Sequence, residues 1–259
     1  MIIGADGRPL SLLQKEFPAL EIIKFSGYNV SYSANGNMAM KMLFSAPGIL
    51  AGIRREHKFV QKIIKEKKID AVISDNRFGL WSRSVPCVFV THQLMIKSPF
   101  AESLLHKLNL FFIKKYTECW IPDEQDSINN LSGDLSHKYP LPGTALFIGP
   151  LSRFEAASGE KENDHDLLVI LSGPEPQRTL FEEKIISQVK QLALKTLIVR
   201  GLTEKEEKIR ISENVEMISH LGTNELSKVI RSSKIIVSRP GYSTVMDLAA
   251  FGSKAVFVP

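Results

Sequence analysis

The last 22 residues are Ser238-Arg-Pro-Gly-Tyr-Ser-Thr-Val-Met-Asp247 and Leu248-Ala-Ala-Phe-Gly-Ser-Lys-Ala-Val-Phe-Val-Pro259. We expect an apolar strand, Lys234 to Val237, to enter them through a glycine turn. A helix should follow the turn, and a second apolar strand should run from Ala255 to Val258. The end of a parallel strand and a helix N-terminus together bind phosphate. The segment therefore predicts a doubly wound α/β fold with a site for a phosphorylated ligand that carries ribose.

Within this segment, we predict that phosphate binds to backbone groups near Gly241 and Ser243. It would also contact the start of the helix that carries Thr244. Asp247 lies one turn further along and can accept hydrogen bonds from two vicinal ribose hydroxyls. The alternative is a capping box, in which the threonine and the acid satisfy helix N–H groups. The complete string from Arg239 to Asp247, set between two strands, favours the ligand.

A second glycine turn, Leu171-Ser-Gly-Pro-Glu-Pro-Gln-Arg178, ends a predicted strand and opens a helix. Ser172 and Gly173 permit close approach of the backbone to a phosphate, and Arg178 can reach its oxygens. Arg200 ends the next strand at the same edge of the sheet. An ordinary Gly/Pro turn has the same composition, so the phosphate role of this loop remains a hypothesis.

Short Val/Ile/Leu runs alternate with helix-length segments along the chain, and most runs are continuous, as in parallel strands buried on both faces. The alternation predicts two Rossmann-like domains, at residues 1–153 and 166–259, joined by a polar linker at 154–165. Thr203–Ile211 is among the predicted helices. A Rossmann-like domain normally opens with a strand, a glycine-rich turn and a helix, and a helix should follow Val258-Pro259. We therefore expect a chain truncated at both ends.

Composition is that of a soluble protein with a substantial core, with 44% hydrophobic residues. No signal peptide or membrane-spanning run is visible, which predicts a cytoplasmic location. Cys87 and Cys119 lie in apolar segments and are expected to be buried, reduced thiols. No cysteine or histidine cluster suggests a metal.

The net charge of +5 lies entirely in the first half of the chain, where residues 1–150 hold 18 Lys and Arg against 13 Asp and Glu. Lys41–Lys68 and Leu104–Tyr116 mix these cations with apolar residues at helical spacing. Such a face fits an anionic membrane surface, and it also fits the solvated outer side of a core-packing helix. Nucleic acid is disfavoured, because the aromatics follow helical spacing rather than forming a stacking platform.

Three candidates for acid–base catalysis lie at predicted strand ends in the first domain: Asp75, His92 and Asp123. Ligands bind open α/β sheets at the carboxyl ends of the strands. His92 is the best general base by its unperturbed pKa. The alternative, which is the commoner one for polar residues at strand ends, is that each of the three makes only structural hydrogen bonds.

The segment from Ser238 to Pro259 resembles the donor-site signature of GT-B glycosyltransferases of family 28, and the whole chain is similar to bacterial proteins related to UDP-glucuronosyltransferases. Ile3-Gly-Ala-Asp-Gly-Arg-Pro-Leu10 and Val90-Thr-His-Gln-Leu94 fit the same group. The resemblance implies that Asp247 holds the ribose and that Leu221 and Gly222 border the uracil. The loop His220–Asn224 that contains them is equally consistent with a plain connection.

The resemblance implies a glycosyltransferase that uses a UDP-sugar as donor, a lipid-linked or small acceptor, and no metal or other cofactor. The first domain would take the acceptor and the second the donor. Two alternatives remain: a nucleotide-sugar hydrolase or epimerase on the same fold, and a non-catalytic nucleotide-sugar-binding subunit.

Overall fold

A computed structural model describes residues 1–25, 38–98, 101–126, 128–154, 164–203 and 206–259. The chain divides into two compact units: a C-terminal unit, Met1–Phe25 with Ser152–Pro259, and a central unit, Ser26–Leu151. The first 25 residues thus group with the C-terminal unit, whereas the sequence placed them in the N-terminal domain. Most of the predicted linker, residues 155–163, lies outside the described residues.

Strands and helices alternate along most of the described chain, as expected for an α/β protein. In chain order they are β1 (Ile2–Ala5), α1 (Gly7–Glu16), β2 (Glu21–Lys24), α2 (Met38–Lys67), β3 (Val72–Asp75), β4 (Cys87–Val90), α3 (Glu102–Ile113), β5 (Glu118–Ile121), α4 (Asp134–His137), β6 (Ala145–Phe147), β7 (His165–Ile170), α5 (Gln177–Val189), β8 (Thr196–Val199), β9 (Lys208–Arg210), β10 (Val215–Ile218), α6 (Thr223–Arg231), β11 (Ser233–Ser238), α7 (Tyr242–Ala250) and β12 (Ala255–Phe257).

The C-terminal unit is built on a sheet with the order β12-β11-β7-β8-β10-β9, parallel except for the last pair. Successive residues of β7 face opposite sides: Leu168 packs with Ile236 and Leu248, whereas Val169 packs with Ile185 on the other face. The sheet is therefore covered on both faces, as the continuous apolar runs predicted.

One prediction in this unit is wrong. Thr203–Ile211 was expected to be a helix, but Lys208–Arg210 forms β9, antiparallel to β10 at the edge of the sheet. Its side chains are all exposed. The dense Lys and Glu content favours a helix locally, but the hydrogen bonds offered by the free edge of β10 outweigh that preference.

The central unit contains a parallel sheet with the order β3-β4-β5-β6, and β1 and β2 form a separate parallel pair in the C-terminal unit. Phe89, Ile113 and Ile121 are fully buried in the central core with both cysteines. Cys87 and Cys119 are free and buried, as predicted, and burial raises the pKa of Cys119 to about 12. In the described part of the chain, no helix is long and apolar enough to span a membrane.

Candidate functional site

Two predicted phosphate-binding loops lie side by side in the C-terminal unit. β7 and β11 are paired in parallel, with Ile170 opposite Ser238, so the turns that follow them share one sheet edge. Gly173 has a φ of 107°, which favours glycine, and a Cβ added there would lie 3.8 Å from Nη1 of Arg239. Arg239 also donates to Oε1 of Gln177 at 3.4 Å. The sheet therefore joins sequence segments that are more than 60 residues apart.

The N-terminus of α7 completes this edge. Gly241 is its N-cap and makes no side-chain cap hydrogen bond. The N-terminus of a helix is a favourable place for an anion. A Cβ added at Gly241 would lie 3.7 Å from Oγ1 of Thr244 and 4.0 Å from Oγ of Ser172. Ser243, in the first turn, is exposed. Backbone donors, two hydroxyls and one guanidinium thus surround one small region.

Asp247 does not cap its own helix. α7 begins at Tyr242, so Thr244 is its third residue rather than its N-cap, and the capping-box alternative does not describe this helix. Oδ1 of Asp247 instead accepts a hydrogen bond from Oγ of Ser152 at 2.7 Å, and Oδ2 lies 3.7 Å from Nε of Arg153. Burial raises the pKa of Asp247, although Ser152 and Arg153 act to lower it. The carboxylate is therefore held in place by residues from a distant part of the sequence.

Ser152 and Arg153 were missed by sequence reasoning. The hydrogen bond between Ser152 and Asp247 joins residues 95 positions apart, and no local pattern marks either residue. Arg153 also lies with its guanidinium carbon 4.9 Å from the ring centre of Phe154, a buried core residue. Ser152 and Arg153, where the chain enters the C-terminal unit, therefore lie against the carboxylate of Asp247, the candidate ribose ligand.

Arg178 and Arg200, both predicted to contact phosphate, are engaged elsewhere. Nη1 of Arg178 donates to Glu182 at 2.6 Å, and its Nε donates to Glu175 at 2.6 Å. Arg200 donates to both carboxylate oxygens of Glu182, at 2.8 and 3.1 Å, and lies 3.5 Å from Glu207. Glu182 therefore joins the two guanidiniums inside the unit, and phosphate contact by either arginine stays a prediction. The spacing of four residues between Arg178 and Glu182 on one helix could have indicated this ion pair from the sequence.

A cavity of about 770 Å³ lies beside the β10–α6 loop, within the C-terminal unit. Its walls include Gly222, His220 and Arg153 as well as residues of α1. This volume is in the range of small-molecule sites. Leu221, in contrast, packs against the hydrophobic core. Burial lowers the pKa of His220, assisted by Lys15 and Arg153, which favours a neutral imidazole at this cavity.

The three predicted catalytic residues follow adjacent parallel strands of the central unit. Asp75 ends β3, His92 follows β4 and Asp123 follows β5, so all three belong to the carboxyl edge of this sheet. The side chain of Asp75 is exposed. Burial lowers the pKa of His92, partly opposed by the charge of Asp123, which leaves the imidazole neutral and able to accept a proton near pH 7.

Asp123 has a clear structural task. It is fully buried and accepts hydrogen bonds from the backbone N–H groups of Glu124, Leu131 and Ser132 and from the Ser132 hydroxyl. Burial acts to raise the pKa of Asp123, but these hydrogen bonds outweigh it and hold the pKa below its usual range. Nε2 of His137 lies 3.2 Å from the same carboxylate. The acid organises the loop after β5, and a catalytic role for it stays a prediction.

Residues 167–259 match the glycosyltransferase family 28 C-terminal domain. A comparison with curated proteins finds no match. Three solved structures illustrate the fold. MnaA from S. aureus, in complex with UDP, is 13% identical with a TM-score of 0.55, and the alignment covers 100% of this chain and 79% of that one. UGT89C1 from Arabidopsis thaliana, complexed with UDP-L-rhamnose, is 12% identical with a TM-score of 0.56, covering 100% and 71%. The glycosyltransferase SnogD from Streptomyces nogalater is 13% identical with a TM-score of 0.52, covering 100% and 81%.

These matches confirm the predicted α/β architecture and the resemblance to family 28 GT-B proteins. The family match begins at β7 and includes both glycine turns and Asp247. The structural likeness extends over the whole chain and concerns the fold.

Proposed function

We propose that this protein is a glycosyltransferase that uses a UDP-sugar as its donor and binds the nucleotide in the C-terminal unit. The observation that carries the proposal is the meeting of two glycine turns, the N-terminus of α7 and Asp247 at one edge of the sheet. The family 28 match spans these same residues. The solved structures of similar fold that hold UDP or UDP-L-rhamnose support the choice of nucleotide.

In this proposal the diphosphate lies against the first turn of α7 and the Ser172–Gly173 turn, where N–H groups and Arg239 offset its charge without a metal. Asp247 exchanges its hydrogen bond with Ser152 for bonds from the ribose hydroxyls. The cavity beside Gly222 takes the uracil. Both ribose hydroxyls then donate to a partly buried carboxylate, and hydrogen bonds to a charged acceptor contribute about 1.5–3 kcal/mol each.

The transfer itself needs an acceptor hydroxyl and a base. The acceptor oxygen bonds to the anomeric carbon of the sugar while the bond from that carbon to the UDP oxygen breaks. His92 accepts the hydroxyl proton, because its lowered pKa keeps it neutral. The electron pair of the broken bond stays on the UDP oxygen, and the α7 amides stabilise the negative charge that develops there. We propose a lipid-linked or small-molecule acceptor.

Calorimetric titration with UDP tests the donor site. Asp247→Asn should weaken UDP binding by about 10-fold or more, since hydrogen bonds to a charged acceptor contribute about 1.5–3 kcal/mol each. Asp164→Asn is the matched control, because Asp164 is exposed at the amino end of β7, away from the candidate site. A protein that does not bind UDP, or that binds it equally well as Asp247→Asn, would remove the basis of the proposal.

Sugar release separates the alternatives. Incubation of the protein with a UDP-sugar alone should release little UDP and little free sugar, and addition of an acceptor should release UDP while the sugar appears on the acceptor. Release into water at the acceptor-stimulated rate would identify a hydrolase instead. UDP binding without turnover of any tested donor and acceptor pair would favour a non-catalytic subunit. A cytoplasmic location, at the inner face of the membrane, belongs to the same proposal.

A further inference from the structure

An apolar stripe runs along the outer side of α3 in the central unit. Leu104, Leu108 and Phe111 are 60%, 47% and 58% exposed. A helix advances about 100° per residue, so these positions lie within about 60° of one another. The buried residues of α3, among them Asn109 and Ile113, lie on the opposite side of the helix. Three large apolar side chains on one exposed helix face are more than the scattered surface residues of an ordinary domain.

Cations border this stripe. Lys107 and Lys114 are exposed on one flank of the helix, and Lys115 follows directly after them. The nearest acid on the helix, Glu102, is paired with Lys138 at 2.6 Å, so its charge is compensated. No other Asp or Glu occurs between Glu102 and Tyr116. The stripe therefore combines apolar area with an uncompensated positive charge.

The cationic surface extends to α2 through Trp81. The Trp81 ring stacks on His57 of α2 with centroids 4.1 Å apart, and Nζ of Lys115 lies 5.2 Å from its centre. The same ammonium lies 4.7 Å from the ring of Phe111. α2 carries further exposed cations, which are Arg54, Arg55, Lys58, Lys65 and Lys62, the last of them 3.7 Å from Glu66. Of the predicted basic segment 41–68, the side chains of residues 41–46 lie outside the described part.

The charge difference between the two units points to the partner. The central unit holds 15 Lys and Arg against 10 Asp and Glu, whereas the C-terminal unit holds 18 of each. On a bilayer, an apolar stripe bordered by lysines buries its hydrophobic side chains at the boundary between headgroups and acyl chains. Its cations then lie among anionic headgroups. A protein partner with an acidic rim would need a complementary apolar groove, whereas a bilayer accepts the convex face of a single helix.

We propose that the outer face of α3 docks on an anionic phospholipid bilayer, with Leu104, Leu108 and Phe111 inserted and Lys107 and Lys114 at the headgroups. If the proposed function holds, the consequence is that the acceptor is a lipid-linked molecule presented at that bilayer. The docking itself is independent of donor binding.

Co-sedimentation with vesicles tests this inference. The intact protein should bind vesicles made of equal amounts of phosphatidylcholine and phosphatidylglycerol, and should not bind vesicles of phosphatidylcholine alone. Raising the salt concentration should weaken the binding, because counterions screen the lysines. Lys107→Gln and Lys114→Gln should each weaken partitioning about fivefold. Leu108→Ser and Phe111→Ser should each weaken it about 10-fold, through loss of inserted apolar area.

Leu180→Ser and Lys184→Gln are the matched controls, because both residues are exposed on α5 of the C-terminal unit. They should leave vesicle binding unchanged, and unaltered melting temperatures should verify that all variants are folded. Equal binding to both vesicle types, or equal losses in the α3 and α5 variants, would overturn the proposal. The proposal would also be overturned if the protein binds no vesicles and forms a dimer that the Phe111→Ser substitution dissociates. The stripe would then be a self-association surface.

The two proposals fail separately. If the protein binds UDP but no anionic vesicles, the α3 inference is wrong and the donor site stands. If it binds vesicles through α3 but not UDP, the docking surface stands and the glycosyltransferase proposal falls.

Discussion

Replacing Glu182 with alanine is expected to lower the free energy of unfolding of the C-terminal unit by about 3 kcal/mol. Its carboxylate accepts three hydrogen bonds, one from Arg178 and two from Arg200, at 2.6, 2.8 and 3.1 Å. Removing one partner from a buried ion pair costs about 3–5 kcal/mol. The lower end applies here, because Glu175 still binds Arg178 at 2.6 Å and Glu207 still lies 3.5 Å from Arg200.

Urea unfolding measures this difference. Glu183→Ala is the matched control, because Glu183 is the next residue on α5 and its side chain is exposed. The control should change the free energy of unfolding by no more than about 0.5 kcal/mol. Glu182→Gln keeps the shape of the side chain but loses its charge. It should therefore lower the free energy of unfolding by more than Glu183→Ala and by less than Glu182→Ala. If Glu182→Ala and Glu183→Ala unfold at the same urea concentration, the network does not stabilise the unit. Exchanging the Glu182 contacts of Arg178 and Arg200 for a phosphate would then cost little stability.

Four further predictions concern UDP binding, stability and metal dependence. Ser152→Ala should strengthen UDP binding about three- to tenfold, because it removes the hydrogen bond that competes for Asp247; calorimetry showing equal or weaker binding would contradict this. Asp123 has a lowered pKa, so its ionised form stabilises the fold above the unfolded pKa of about 3.9, and that stability is lost as the pH falls through the folded value. Asp123→Asn should therefore flatten the acid limb of a stability-versus-pH curve, and an unchanged slope would argue against the hydrogen-bond assignment. Gly201→Ala should destabilise by more than about 1 kcal/mol, since φ is 69° and the new Cβ would lie 2.9 Å from the carbonyl oxygen of Leu171; a melting temperature equal to that of the parent protein would refute the strain. Treatment with EDTA should leave the consumption of UDP-sugar unchanged, and a loss that Mg²⁺ restores would show a metal-dependent reaction.

The sheets and most helices were predictable because their signals are local. Continuous apolar runs such as Leu167–Ile170 indicate strands buried on both faces, and the structure pairs them in parallel. The Lys208–Arg210 edge strand was not predictable, because its pairing with β10 depends on an edge that only the assembled sheet provides. The grouping of residues 1–25 with the C-terminal unit likewise depends on contacts between distant segments.

The candidate site divides in the same way. Both glycine turns, the start of α7 and Asp247 were identified from residue types at fixed spacing, because a turn that brings backbone N–H groups to a phosphate needs glycine in those positions. Sequence spacing could not reveal which charged side chains are already paired. Arg178 and Arg200 have the chemistry of phosphate ligands, but Glu182 binds both.

The amino-acid sequence alone determined the alternation of strands and helices, the positions of the glycine turns and the acid on α7, since these depend on backbone conformation and hydrophobic period within a few residues. Only the tertiary structure decided that Ser152 and Arg153 hold Asp247, that Glu182 engages two arginines, and that the apolar stripe of α3 faces outward. The physical reason is that hydrogen bonds, ion pairs and burial are properties of atoms brought together from distant positions, and their partners are chosen when the sheet assembles.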